Sequence, residues 1–248
     1  RFRAGRSTNA YMGGTYQMSY GGRFRGNSGQ VVIDEARSAL FEIHNGTYQR
    51  AGSGGVSVSY PTPITSQAPP VVFVNPNGAG HFHSFNHSGR SGNWTGWSAV
   101  IVTNMPGTVG ASGTGRYSAC TTEPRPSTDK WGMRIKNAGA EVVYDSGYRV
   151  ARFIAGSQSW SGGGSTAWGG AGGIVFQYRL PWALPATTYL MISGVRNAWD
   201  NVNFSDQPYI GFTNSNKQQV NFNIHSFDNY PPVNVNWPMV AANFELPN

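Results

Sequence analysis

Charge is scarce in this chain. Only 12% of its 248 residues are Asp, Glu, Lys or Arg, about half the usual share. Ser, Thr, Asn, Gln and Gly must therefore supply the wetted surface. That profile argues against an ordinary cytosolic enzyme and toward an extracellular or particle-bound protein, or a subunit largely covered by neighbours. Cysteine is nearly absent as well: Cys120 stands alone, so an intrachain disulfide is excluded and the redox compartment goes unread. No apolar run reaches the roughly 18 residues that a membrane helix needs, and no signal-peptide pattern is seen. Membrane insertion is not expected. Apolar residues at helical spacing are missing too, apart from a faint trace over Asp34–Phe41.

What is present reads as strand. Short runs rich in Val, Ile, Tyr and Phe fall at 31–33, 56–60, 71–74, 99–103, 142–144, 150–154, 174–180, 188–193, 209–212 and 220–224. Gly, Pro, Asn and Ser bound them, as they bound the strands of sandwiches and barrels. "VSVSY" and "VNFNIHSF" alternate apolar and polar residues, the signature of a strand with one wet face. The class is all-β. "YPTPITSQAPP" (60–70) reads as an extended crossing segment. "TTEPRPSTDK" (121–130) reads as a linker near the middle of the chain. The stretch 156–173 holds 8 Gly together with Trp160 and Trp168. It reads either as a flexible hairpin excursion or as a contact loop with two Trp anchors.

One pattern occurs twice. Gly22, Asn27, Gly29, Val31, Val32, Asp34, Arg37 and Phe41 match Gly132, Asn137, Gly139, Val142, Val143, Asp145, Arg149 and Phe153, with two single-residue insertions. In each copy a strand meets an Asn-x-Gly turn that tolerates positive φ, and a Val-Val strand returns. An Asp then bonds its own following backbone, and a further strand carries the Phe into the core. Asn27, Gly29, Asp34, Asn137, Gly139 and Asp145 are accordingly expected to shape turns, not to catalyse. The architecture expected is two β-sandwich-like lobes from a duplicated hairpin unit, with long Gly/Pro-rich loops. Its divisions are an N-terminal arm (1–21), a first lobe (22–120), a linker (121–131) and a second lobe (132–248).

The segment "WGMRIKNAGAEVVYDSGYRVARFI" (131–154) resembles one found in small tail proteins of tailed bacteriophages and prophages. There a Gly-x-x-[Ile/Val]-x-[Asn/Asp]-x-x-Gly stretch precedes an apolar pair, an Asp-Ser and an Arg. The matching positions are Gly132, Ile135, Asn137, Val142, Val143, Asp145, Ser146 and Arg149. "MSYGGRFRGNSGQVVIDE" (18–35) is similar to the way such proteins open, although Glu35 replaces the Ser and the Arg comes sooner. The resemblance spans roughly 45 residues. It implies a virion component of a tail tip or fibre, made in the host cytoplasm, with no catalytic residues to carry over.

Net charge is +7, from 18 basic and 11 acidic residues. Arg1, Arg3, Arg6, Arg23 and Arg25 all precede the first acid, Asp34. Arg favours fixed bidentate contacts, so an arm carrying Arg1, Arg3, Arg6 and Tyr11 points to an acidic protein neighbour, against a solvated terminus as the plainer reading. Nucleic acid is not expected as a partner.

"HFHSFNH" puts His81 and His83 on one strand face, where they could hold a metal. Phe82 and Phe85 make ordinary packing the favoured explanation, and neither a metal nor another cofactor is expected. No G-x-S-x-G elbow occurs and no two carboxylates are coupled by the sequence, so no enzyme is expected. Trp94 and Trp97 sit in "SGNWTGWS", and Trp199 sits among Asn, Asp and Gln. Trp97 reads as core. Trp94, Trp160, Trp168 and Trp199 are candidate contacts for a bacterial surface glycan or receptor. The function expected is a structural virion subunit assembling with others into a symmetric oligomer. The alternative is a stand-alone carbohydrate-binding β-sandwich module.

Overall fold

Alternation decides the faces of the strands. In "GVSVSYPTPI" Val56, Val58, Tyr60 and Ile64 are buried while Ser57, Ser59 and Thr62 are exposed, as a pleat with one dry face requires. A computed structural model describes residues 24–25, 31–33, 39–137, 139–167, 174–180, 184–194, 207–212, 220–226 and 239–244. No helix occurs among them.

β1 (Phe24–Arg25) and β2 (Val31–Ile33) form a two-stranded antiparallel ribbon. The body continues through β3 (Phe41–Gln49), β4 (Gly55–Ile64), β5 (Val71–Pro76), β6 (Gly80–Arg90), β7 (Asn93–Val102) and β8 (Thr114–Thr121). β9 (Arg134–Lys136) and β10 (Val142–Asp145) make a second antiparallel ribbon. Then come β11 (Arg152–Ser157), β12 (Ser161–Ala167), β13 (Ile174–Arg179), β14 (Tyr189–Met191), β15 (Gln207–Phe212), β16 (Val220–Ser226) and β17 (Met239–Asn243).

Two larger antiparallel sheets are built from these strands. One has the order β11-β17-β14-β5-β8-β3 and the other β12-β13-β16-β15-β6-β7-β4. The main apolar cluster draws on both, with Tyr48, Val72, Val74, Tyr117 and Leu190 from the first and Val58, Phe82, Trp97, Ile101, Ile210 and Phe212 from the second. Trp97 is completely buried. It lies 6.0 Å from Phe85 in a stacked arrangement and meets the edges of Tyr48 (6.0 Å) and Tyr117 (5.8 Å). At Gly211 the backbone of β6 runs so close that a Cβ would overlap the Gly80 carbonyl oxygen, so only Gly fits there.

These pairings overturn the expectation of two lobes. β5 bonds β14 (Val74 opposite Leu190) and β6 bonds β15 (Phe82 opposite Ile210). Strands from either side of 121–131 thus share both sheets and one core. Nor is 121–131 a free linker. Glu123 accepts from Gln67 N (2.8 Å), and Ser127 donates to Asp145 through its N–H (3.0 Å) and its hydroxyl (2.8 Å). Within the Gly/Trp stretch Ser161–Ala167 is an edge strand paired antiparallel with β13, with a bulge between Gly162 and Gly164. Its backbone bonds to β13 outweigh the low strand propensity of Gly and Ser.

The six-stranded sheet curls. Phe41 at the start of β3 bridges Val150, while Arg152 at the start of β11 lies opposite Asn243. Two residues span at most about 7 Å, so the two outer strands of this sheet must approach each other at that end. A second cluster of Phe73, Cys120, Ala151, Ala242 and Phe244 packs on the face opposite the main core, with Phe244 edge-on to Phe73 (5.4 Å) and Tyr189 (5.1 Å). Burial holds the Cys120 thiol well above its ordinary range, which keeps it inert.

Candidate functional site

The 131–157 segment is built by short-range bonds that explain its sequence. Asn137 Oδ1 accepts from Gly139 N (2.9 Å) and Glu141 N (3.0 Å), and its amide donates to the Glu141 carboxylate (2.7 Å). That closes the β9–β10 turn. Gly132 sits at φ +146°, where a Cβ would run into the Ser146 hydroxyl. That hydroxyl in turn accepts from Met133 N (2.8 Å). Val142 and Val143 are buried.

Asp145 is buried and its carboxylate accepts from Gly147 N (2.9 Å), Ser127 and Arg134 Nε (2.7 Å). Burial alone would raise its pKa, but the bonds from Ser127, Gly147 and Arg134 hold it down at about 2. The acid shapes a turn and also anchors the 121–131 segment through Ser127.

Arg149 closes the curled sheet. Glu42 is 6% exposed. Its carboxylate accepts from the Ser118 hydroxyl (2.6 Å) and pairs with Arg149 Nε (2.6 Å). Around this pair Glu42 N donates to Arg149 O (2.8 Å) and Ala151 N to Leu40 O (2.9 Å). Desolvation raises the Glu42 pKa, against the Ser118 bond and the Arg149 charge.

Removing the guanidinium strands a buried carboxylate. Arg149→Met is expected to cost about 2 kcal/mol at pH 7, below the ~3–5 kcal/mol of a fully buried pair because Arg149 is 42% exposed. Adding Glu42→Gln should recover most of that loss. Urea unfolding of the two single variants and the double variant reads both quantities, and additive losses would contradict the coupling.

Among the described residues the same segment carries four of the five exposed large apolar side chains. Trp131 is 91% exposed, Phe153 61%, Ile154 45% and Met133 44%. Among the described residues Val109 is the one other large apolar side chain left this open. Phe153 was expected in the core like Phe41, which is completely buried. Both stand on outer strands of the same sheet, but Phe41 bridges Val150 where the two edges approach, whereas Phe153 lies past that point, opposite Ala242, and stays open. Phe153 and Ile154 line a shallow open groove with Val240.

A different feature sits where the β6–β7 ribbon passes the Pro69–Pro70 corner and the end of β14. A bulge between His83 and Asn86, with Ser84 at φ +52°, turns Phe85 inward. Beyond it His87 stands against Phe85 (4.8 Å) and Trp94 (5.5 Å). These rings, with Pro69, Pro70 and Ser193, line a cleft of about 420 Å³. Trp94 is half-buried and donates Nε1–H to Ser66 O (3.0 Å).

His81 and His83 do share one face. His81 is completely buried, and neither ring nitrogen has a hydrogen-bond partner. His83 Nδ1 lies 2.9 Å from Ser84 Oγ and its ring lies 4.7 Å from Tyr209. Burial lowers both pKa values to about 4. No metal-ligating cluster of three groups occurs among the described residues.

Of the other expected contacts, Trp160 is half-buried against the main core. Arg1, Arg3, Arg6, Tyr11, Asn27, Gly29, Asp34, Trp168 and Trp199 lie outside the described residues. The chain matches no protein-family model, no curated protein and no solved structure.

Proposed function

We propose that the chain is a structural subunit of a phage-like tail tip or fibre that assembles through its 131–157 segment. One observation carries this reading: Trp131, Met133, Phe153 and Ile154 all present apolar surface from the stretch that resembles tail proteins. Surface of this kind, beside a sheet edge that no charged or proline residue blocks at Phe153–Ser157, is a docking feature in proteins that must stay soluble. The shortage of charge fits a subunit whose surface is shared with neighbours. The chemistry is association: a neighbouring subunit covers the aromatic and aliphatic side chains and extends the β11 ladder.

The triple variant Trp131→Ser, Phe153→Ser, Ile154→Ser tests this reading. These side chains are exposed, so the melting temperature should stay within a few degrees of wild type. Its elution in size-exclusion chromatography should fall from an oligomer to a monomer. Unchanged elution would assign assembly to another surface.

A further inference from the structure

We infer that the cleft at Trp94 is a binding subsite for one uncharged sugar unit. Among the described residues its lining includes no Asp, Glu, Lys or Arg, so these walls offer no counter-charge to an anionic or a cationic ligand. Trp94 has already given its Nε1–H to Ser66 O (3.0 Å). What it offers a ligand is carbon surface, on which the C–H face of a sugar ring packs. Pro69 and Pro70 extend that apolar wall.

The polar side chains of the lining are Asn86, His87 and Ser193. Ser193 Oγ accepts from Val72 N (3.1 Å), which fixes the oxygen and leaves its proton to donate to a ligand hydroxyl. His87 is held between Phe85 and Trp94. Burial lowers its pKa, so it is a neutral imidazole; its Nδ1 is buried without a hydrogen-bond partner, which leaves Nε2 to meet a ligand. A platform of carbon, one neutral imidazole nitrogen and a hydroxyl match a molecule with apolar faces and a rim of hydroxyls. The volume of about 420 Å³ lies at the small end of ligand sites, about 300–1,000 Å³. None of the four exposed side chains of 131–154 lines the cleft, so the inference stands apart from the assembly reading.

The probes are methyl glucoside, methyl galactoside, methyl mannoside and N-acetylglucosamine, with glucuronate as the charged control. Titrations followed by saturation-transfer NMR on the full chain should give saturable binding by at least one neutral probe. A dissociation constant on the order of millimolar is expected from the atoms one ring can bury. Trp94→Ala should weaken binding at least tenfold, and Trp94→Phe by less, with melting curves showing that both variants fold. The triple-serine variant should bind as wild type does. Three outcomes would overturn the inference: no saturation with any neutral probe, equal binding by Trp94→Ala, or glucuronate binding as tightly as its neutral counterparts.

Discussion

Trp97→Ala is expected to cost about 3–5 kcal/mol, the range for truncating a fully buried Trp. The reason lies in what its ring joins. Phe85 stacks on it from the neighbouring strand of its own sheet, while Tyr48 and Tyr117 reach it from the opposite sheet. Truncation therefore opens a void on the line where the two sheets meet, and no exposed side chain is placed to fill it. Denaturant unfolding measures the loss, and Trp97→Phe should cost less than half as much. A loss under 1 kcal/mol for Trp97→Ala would mean that this contact does not hold the sheets together.

Acid should destabilise the protein through His81. Its folded pKa of about 4 lies below the ordinary 6.5 because the ring is completely buried. A histidine with a depressed folded pKa stabilises the native state above its unfolded pKa and withdraws that contribution as pH falls toward the folded value. Over this interval the loss is about 3 kcal/mol at roughly 1.4 kcal/mol per pH unit.

The groups around His81 do not offset it. Its cross-strand neighbours are Val102 and Gly211. Its face also carries His83, lowered likewise, and Tyr209, whose burial pushes its pKa up to about 12. Glu42 works the other way, since a raised carboxyl pKa favours the folded state as pH falls, and Asp145 matters only below its ordinary 3.8. His81→Leu isolates the effect. It removes two unpartnered ring nitrogens, so at pH 7 it should be at least as stable as wild type. Between pH 6.5 and 4.5 its urea midpoint should fall less than that of wild type, the remainder coming from His83. Parallel curves for the two proteins would assign the acid sensitivity elsewhere.

The all-β class was legible because the strand-forming runs are dense in Val, Ile, Tyr and Phe. Every run identified in the sequence overlaps a strand. Strands built from small or polar residues were not legible. β3 (FEIHNGTYQ), β8 (TGRYSACT), β12 (SGGGSTA) and β17 (MVAAN) owe their conformation to ladders formed with distant partners, and tertiary pairing routinely overrides strand propensity. The two-lobe expectation failed for the same reason, because a local repeat carries no information about which strands pair across the chain.

At the level of sites, the Asp145 turn could be read locally, since Gly147 lies two residues on. Its clamp by Ser127 and Arg134, and the Arg149–Glu42 pair, could not. Ser127 and Glu42 reach Asp145 and Arg149 from segments outside the ribbon, although Arg134 faces Asp145 directly across β9–β10. Trp97 was legible as core and Trp94 as an aromatic among polar neighbours. What sequence reasoning missed is that the 131–154 segment holds exposed side chains as well as turns, because Phe153 looks identical to Phe41 until it is known that only Phe41 lies where the two outer strands meet.

The central claim is that this chain works by assembling through the 131–157 segment. Sedimentation equilibrium of the purified wild-type protein tests it most directly. Assembly predicts a mass that is a whole-number multiple of the 248-residue chain, reverting to the single-chain mass in the triple-serine variant. A wild-type protein that stays monomeric across the accessible concentration range, while binding a neutral sugar saturably, would contradict the claim and leave a stand-alone carbohydrate-binding module in its place.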